Sequence, residues 1–280
     1  MIHLALFDPG RTQAACWQQA ADRRDDVQIV DEAAADAVVV ADLSDATREL
    51  AGGRHVLLCP SVVTSVSEAE SLAVDTGPVL MLASVDRYRP STRQVHDCTV
   101  GGELGEPGLL RVHRWLPGGD DISTGWLAGD LDLAIWLFGA LPGEVYAVKR
   151  GEPVGYVHAH LGFSGGGMAL IDVATTLPDG DGYFSLSMIG GDGSAYADDH
   201  HNMHLIYGGG LPRAQRGGEG VTGLVNLLGE FVAAINESRP ASPGPADAHA
   251  ALLVAEAAER SIEVAAPLKL NESGDGYEPG

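Results

Sequence analysis

The chain has 280 residues, 45% of them hydrophobic, which is enough for two domains with buried cores and excludes global disorder. Its 39 acidic and 17 basic side chains give a formal net charge of −22, so we expect neither nucleic acid nor a membrane surface as a partner. Three cysteines without a C-x-x-C spacing argue against a disulfide framework and a structural zinc site.

Short apolar runs alternate with helix-like segments along the first 86 residues. The predicted strands are 2–7, 27–30, 36–42, 55–60 and 78–84, and the predicted helices are 12–24, 45–53 and 66–77. This alternation is typical of βαβ units, in which parallel strands are buried between helices. We therefore predict an α/β domain with a Rossmann-like parallel sheet over residues 1–86.

The pattern changes near residue 87, where short strands divided by Gly and Asp turns replace the alternation. The predicted strands are 109–117, 144–150, 155–164, 168–177, 183–191, 193–199 and 201–209, and the predicted helices are 91–102, 125–139, 221–238 and 245–265. Consecutive short strands with tight turns favour antiparallel pairing. We predict an α+β domain over residues 87–270, with an open antiparallel sheet and helices on one face, and a flexible tail over 271–280.

Two further features bear on the origin and location of the protein. Basic residues are nearly all arginine, and Ala, Gly and Asp are abundant, which indicates a bacterial genome of high GC content or a salt-adapted surface. The N-terminus lacks the basic region of a signal peptide, and no apolar segment approaches 18 residues. We expect a cytoplasmic protein.

The order of these segments resembles the Gfo/Idh/MocA family of sugar oxidoreductases along nearly the whole chain. The pieces that carry the resemblance are "HVLLCP" (55–60), "RYRP" (87–90), "GDLDLAIWLFG" (129–139) and the closing segment "FVAAINESRPASPGPADAHAALLVAEAAERSIEVAAPLKL" (231–270). The resemblance implies a Rossmann domain, here shortened, followed by a sheet used in oligomer contacts. It also implies NAD(P) as cofactor and a polyol or sugar-like substrate.

The turn "FDPGRTQAA" (7–15) stands where the family has its glycine-rich phosphate cradle, but only Gly10 of that fingerprint is present. Asp8 disfavours phosphate, whereas Arg11 is a candidate phosphate ligand. Asp31 lies 21 residues after Gly10, about where a ribose-binding acid belongs. Gly10, Arg11 and Asp31 are the candidate cofactor residues. An ordinary βα turn, or an alignment in which the second strand is deleted, explains the same residues.

The catalytic positions implied by the resemblance carry other residues here. The family's lysine falls on Cys59 with Leu58 in place of its glutamate, and the family's histidine falls on Gly129. A thiol at position 59 serves as a base only if a cation activates it; otherwise it is a small buried hydrophobe. Asp130 is a possible substitute for the histidine. We name Cys59 and Asp130 as catalytic candidates and expect the usual hydride transfer to be lost.

Histidines are concentrated in the predicted sheet. The period of two along a strand puts His158 and His160 on one face, and likewise His200 and His204. If these strands are adjacent, the imidazoles form a candidate site for Zn, Fe or Mn. Solvated or interface histidines are the alternative.

These observations leave several functions open. The leading hypothesis is a divergent protein of this fold in sugar-like or secondary small-molecule metabolism, either noncatalytic or repurposed, that binds a small polar or sugar-like molecule. The first alternative is an active NAD(P)-dependent oxidoreductase with an altered site, and the second is a metal-assisted lyase or epimerase. The sequence identifies no cofactor beyond NAD(P) if the family activity is retained. We expect a homo-oligomer formed through the sheet, or pairing with a catalytic homologue.

Overall fold

The computed structural model describes residues 1–8, 13–72, 77–117, 122, 124–151, 155–177, 182–198, 203–207, 213–216 and 221–279. The chain forms two compact units. The first contains Met1–Arg89 and Glu219–His249, and the second contains Pro90–Gly218 and Ala250–Gly280.

The first unit is built on a parallel sheet, as the alternating pattern predicts. Its five described strands stand in the order β2-β1-β3-β4-β5 and all neighbouring pairs are parallel. The strands are β1 (Ile2–Leu6), β2 (Val27–Ile29), β3 (Ala37–Val40), β4 (His55–Leu58) and β5 (Leu80–Leu82). The central strand β3 is an unbroken apolar run because both of its faces are buried.

Helices follow the strands, and capping side chains set the starts of α2 and α3. The helices are α1 (Ala14–Ala21), α2 (Leu43–Ala51) and α3 (Val66–Ser71). The Asp42 carboxylate accepts a hydrogen bond from the Ser44 N–H at 2.8 Å and so caps α2. Ser65 and Glu68 form a reciprocal capping box at the start of α3.

The first unit is one strand and one helix shorter than the six-stranded 3-2-1-4-5-6 order of dinucleotide-binding sheets. Between β2 and β3 there is only a 3₁₀ turn, Glu32–Ala34. Because Val27 and Ile29 pair directly with β1, β2 occupies the place of the second strand, and the shortening falls after it. This register rules out the alignment in which the second strand is deleted, and it leaves Asp31 at the end of the strand next to β1.

The second unit contains a sheet of ten described strands in the order β13-β12-β11-β10-β6-β9-β8-β7-β14-β15. Its first two helices are α4 (Pro90–Val100) and α5 (Thr124–Phe138). Its first eight strands are β6 (Pro107–Pro117), β7 (Glu144–Arg150), β8 (Tyr156–Gly162), β9 (Met168–Leu177), β10 (Tyr183–Gly190), β11 (Ser194–Asp198), β12 (Met203–Tyr207) and β13 (Arg213–Arg216).

The sheet is mostly antiparallel, as expected, but its central pair β6–β9 is parallel. The reason is topological. Helix α5 returns the chain to the end of the sheet at which β6 begins, and two antiparallel steps from β7 through β8 then bring β9 into the direction of β6. The sheet is therefore mixed.

The two faces of this sheet differ. On β6, Leu110 and Val112 are fully buried, whereas Arg111 and Trp115 are exposed on the other face. Helix α5 packs against β6 and β9, and α4 packs against β11. The prediction of helices on one face is confirmed, and we call the opposite face the open face.

The closing segment contains α6 (Thr222–Glu237), α7 (Pro245–Val264), β14 (Leu268–Leu270) and β15 (Tyr277–Pro279). Helix α6 packs against α1, and Phe231 shares one buried cluster with Trp17. Residues 219–249 thus group with the first unit, whereas the sequence analysis placed them in the second.

The C-terminal tail, for which the sequence analysis expected a flexible segment over 271–280, contains the strand β15. Strand β15 pairs with β14, and the Tyr277 hydroxyl donates to the Pro142 carbonyl at 2.6 Å. Burial of this ring, which is 7% exposed, supplies the energy that holds the tail in place. No helix in the described ranges has the length and apolar character needed to cross a bilayer.

Candidate functional site

The first unit has a cavity of about 1010 Å³ at the carboxyl ends of its strands. Ala41, Cys59 and Ala83, each of which comes directly after one of the strands β3 to β5, all line it. Open parallel sheets bind their ligands at this edge. The other described lining residues are Gln13, Cys16, Trp17, Gln19, Arg23, Pro60, Ser61, Val62, Val85, Val221 and Leu224.

Cys59 lies at the mouth of this cavity and is half-buried. Its N–H donates to the Val40 carbonyl at 2.9 Å, which continues the β3–β4 pairing by one residue, and Pro60 then starts a 3₁₀ turn. Leu58, one residue earlier, is fully buried in the core. Among the described lining residues there is no Lys, His, Asp or Glu, so the cation that would activate the thiol as a base could only be Arg23.

A second cavity of about 450 Å³ lies at the ends of β1 and β2. Asp31 borders it, directly after β2, and its side chain is exposed. Asp8, Glu32 and Asp45 add three more carboxylates. The one cation among its described lining residues, Arg48, is already paired with Asp45 at 2.6 Å and with Glu49 at 3.0 Å.

These residues fit one part of a dinucleotide and not the other. Asp31 stands where a carboxylate accepts hydrogen bonds from a ribose diol. A diphosphate would meet the carboxylate of Asp8, whose backbone is left-handed at φ 43°, and no described cation is free to neutralise it. The candidate cofactor residues Gly10 and Arg11 lie outside the described residues. The described residues therefore do not fit a whole NAD(P) molecule.

Asp130 is part of a buried ion pair in the second unit. Its carboxylate is 0% exposed, and Arg114, 15% exposed, donates to it from Nε at 2.9 Å and from Nη2 at 2.7 Å. The same guanidinium lies 4.6 Å from the centroid of the Phe184 ring. A carboxylate held this way is unavailable for proton transfer to a substrate. The sequence analysis named Asp130 as a catalytic candidate, and the structure places its carboxylate in the interior of the second unit against Arg114.

Gly129, the position at which the family's histidine falls, is exposed on α5. A Cβ placed on it would meet no described atom within 4 Å. The helix therefore has room for a side chain at this position, but the sequence supplies none.

The open face carries a row of polar side chains across three neighbouring strands. His158, Asp172 and His113 stand opposite one another on β8, β9 and β6. The His113 ring lies 2.5 Å from the Asp172 carboxylate through Nδ1, and the Trp115 indole N–H donates to the same carboxylate at 2.8 Å. His158 and His160 have ring centroids 4.6 Å apart.

The pKa values along this row follow from these contacts. Burial opposes ionisation of Asp172, but the hydrogen bonds from His113 and Trp115 and the charges of His113 and His158 outweigh it and hold the Asp172 pKa below its usual range. Burial, and then the neighbouring charge of His158, lower the pKa of His160. The row therefore favours an ionised carboxylate beside a neutral His160.

The described histidines of the candidate metal site lie on two strands that are not neighbours. His204 lies on β12, where its backbone pairs with that of Ala197 on β11. Five strand spacings, about 24 Å, also separate β12 from β8. His200 lies outside the described residues. Within the described ranges, no group of three His, Cys, Asp or Glu side chains is placed to hold a metal.

The sequence analysis did not predict that His113 and Trp115 contact Asp172. Alternation in "RVHRWLP" (111–117) puts His113 and Trp115 on one face, which was visible in the sequence. Their meeting with Asp172 depends on the parallel β6–β9 pairing, for which the sequence carried no signal.

Solved structures of the same fold identify the architecture. No family model and no curated protein matches the chain. An aldose-aldose oxidoreductase from Caulobacter crescentus, complexed with glycerol, is 16% identical with a TM-score of 0.78, over 96% of this chain and 99% of that one. GenD2 from gentamicin A biosynthesis, in complex with NAD, is 21% identical with a TM-score of 0.77, over 96% of each chain.

A third structure agrees with these two. An oxidoreductase from Agrobacterium radiobacter in complex with NAD+, L-tartaric acid and magnesium is 15% identical with a TM-score of 0.77, over 96% of this chain and 98% of that one. At these identities the likeness concerns the fold. The chain has the two-domain fold of the Gfo/Idh/MocA-type oxidoreductases.

Proposed function

We propose that this protein is a divergent member of the oxidoreductase fold that binds a small polar or sugar-like molecule and does not carry out NAD(P)-dependent hydride transfer. The observation that carries the proposal is the cavity of the first unit. It lies at the ligand-binding edge of the sheet, yet its described lining contains Cys59 at the lysine position and no carboxylate or imidazole. Transfer of hydride from a carbinol needs a group that takes the hydroxyl proton.

The other candidate for accepting the hydroxyl proton, Asp130, supports the same proposal. Asp130 is fully buried and bound by Arg114. The second cavity, at the ends of β1 and β2, is lined by acidic side chains where the diphosphate of a cofactor would need cations. A cavity that can hold a small molecule but has no group for proton transfer fits a noncatalytic or repurposed protein in small-molecule metabolism.

Titration of the purified protein with NAD(H) and NADP(H) by calorimetry, up to millimolar ligand, tests the proposal. We expect no saturable heat and no turnover of nicotinamide with polyols or sugars. The proposal is overturned if a dinucleotide binds with a micromolar dissociation constant, if Asp31→Ala abolishes that binding, and if the exposed control Asp97→Ala retains it.

The same experiment tests the second candidate, an active oxidoreductase with an altered site. Asp31 favours that candidate, because it is exposed at the end of the strand beside β1. A double variant distinguishes a protein that lacks only the proton-transfer groups from one that does not bind the cofactor. If Cys59→Lys combined with Gly129→His produces turnover, cofactor binding was intact and only the proton-transfer groups were missing.

We also propose that the open face pairs with a second copy of this chain. Four large apolar side chains are exposed on it, namely Trp115, Val148, Tyr156 and Met168. Exposed apolar side chains on four neighbouring strands of one face favour a buried interface. Light scattering should report a dimer or larger assembly that Tyr156→Glu dissociates. A monomer that assembles only with an added homologue of this fold would show a different partner.

A further inference from the structure

The cavity of the first unit has an unusual charge for this protein. Helix α1 contributes Cys16 and Gln19, and Gln13 just before it and Arg23 two residues after it continue the same spacing of three and four residues. The rest of the described lining is uncharged. A chain with 39 acidic side chains therefore has a cavity whose described wall carries one positive charge and no negative one.

Arg23 is also chemically distinct from the other arginines of its unit. Six of these form ion pairs with carboxylates: Arg24, Arg48, Arg54, Arg87, Arg89 and Arg239. Arg23 is exposed, and among the described residues no carboxylate or carbonyl accepts a hydrogen bond from its guanidinium. Arg23 lines the cavity, and no described residue neutralises its charge, although acidic side chains outnumber basic ones by 39 to 17.

We propose that this cavity takes a small organic anion, whose carboxylate pairs with the Arg23 guanidinium. A guanidinium presents a planar set of N–H donors that matches a carboxylate. The amides of Gln13 and Gln19 offer donors and acceptors to the polar body of the ligand, and Val85, Val221 and Leu224 offer an apolar wall. This inference rests on the proposed small-molecule binding and specifies the charge of the ligand.

Two thiols in the cavity wall make the charge of the site measurable without knowing the ligand. Cys16 and Cys59 are half-buried and line the cavity, whereas Cys98 is fully buried in the second unit. Iodoacetate and iodoacetamide alkylate a thiolate by the same step. Sulfur bonds to the methylene carbon while the carbon–iodine bond breaks and iodide leaves. The reagents differ in charge, and iodoacetate is itself a small carboxylate.

The measurement is the ratio of the iodoacetate rate to the iodoacetamide rate at Cys16 and at Cys59, by mass spectrometry. Each ratio is divided by that of the same cysteine in the urea-unfolded chain. We expect a normalised ratio above one in the native protein, despite its negative net charge. Arg23→Gln should lower the ratio by about two- to fivefold, the effect of one exposed ion pair. Salt at 1 M should remove most of the difference.

The control variant is Arg111→Gln, because Arg111 is equally exposed but lies on the open face of the second unit. It should leave both ratios unchanged. Neither arginine holds a described ion pair, so both variants should fold as the wild type does.

Three results would overturn the inference. They are a native ratio at or below one, a ratio that Arg23→Gln does not change, and thiols that react with neither reagent. None of these depends on nicotinamide. Tight NAD(P) binding with an unchanged anion preference would overturn the proposed function alone, and the reverse pattern would overturn this inference alone.

Discussion

The Arg114–Asp130 pair gives a sharp test of whether Asp130 has a structural role or acts on a ligand. If Asp130 is structural, Asp130→Asn should destabilise the protein and leave ligand binding intact. The carboxylate is fully buried and accepts from two guanidinium nitrogens at 2.7–2.9 Å. Removal of one partner of such a pair costs about 3–5 kcal/mol, because the other charge remains buried. Asparagine keeps one carbonyl oxygen, so we expect about 3 kcal/mol.

The assay is urea denaturation followed by far-UV circular dichroism, with the free energy of unfolding extrapolated to water. Asp97→Asn is the matched control, since Asp97 pairs with Arg93 at 3.5 Å and both side chains are about half exposed. That variant should change the free energy of unfolding by no more than about 0.5 kcal/mol.

A double variant separates a lost ion pair from a lost shape. Asp130→Leu with Arg114→Met replaces both charges by apolar groups and should recover the stability to within about 1 kcal/mol of wild type. The reasoning fails if Asp130→Asn unfolds at the wild-type urea concentration while ligand binding or turnover falls. Asp130 would then act on the ligand and not in the core.

Three further outcomes follow from other contacts. Burial lowers the pKa of His55, and its Nδ1 accepts a hydrogen bond from the Val79 N–H at 2.8 Å. The neutral ring therefore stabilises the fold above about pH 6.5, and that stability is lost as the pH falls below this value. Urea titrations at pH 5 and 8 should show a larger loss on acidification for wild type than for His55→Asn, which keeps an acceptor; equal losses would contradict this. Gly129→His should raise the free energy of unfolding by a few tenths of a kcal/mol, because its Cβ meets open space and glycine is the poorer helix former, whereas a measured loss would show a hidden clash. Ser261→Ala should cost about 1–3 kcal/mol by the same assay, since the buried hydroxyl accepts from the Ala147 N–H at 3.1 Å and donates to the Ala266 carbonyl at 2.7 Å; no loss would mean that water replaces it.

The parallel sheet was predictable because each of its strands is a local signal. A run such as Ala37–Val40 is apolar at every position, which only a strand buried on both faces requires. The following helices begin at capping residues that are visible in the sequence, such as Ser65 with Glu68. Local periodicity and capping chemistry were sufficient for this part of the fold.

The sites were less predictable because they depend on pairs that are distant in the sequence. Alternation shows that His158 and His204 lie in strands, but it does not show that these strands stand about 24 Å apart. The tail was assigned as flexible for a similar reason. The residues around Tyr277 in the sequence are polar and do not show that its hydroxyl donates to the carbonyl of Pro142.

The sequence by itself determined the two-part architecture and the side chains present in the turn 7–15 and at positions 59 and 129, since residue type and local period are sufficient for these features. Only the tertiary structure decided what the substitutes do. Asp130 became half of a buried ion pair because β6 brings Arg114 against α5, and Arg23 is the one charge in the described wall of the cavity that α1 also lines. The charge that a side chain meets depends on its neighbours in space, and strand order and helix packing decide those neighbours.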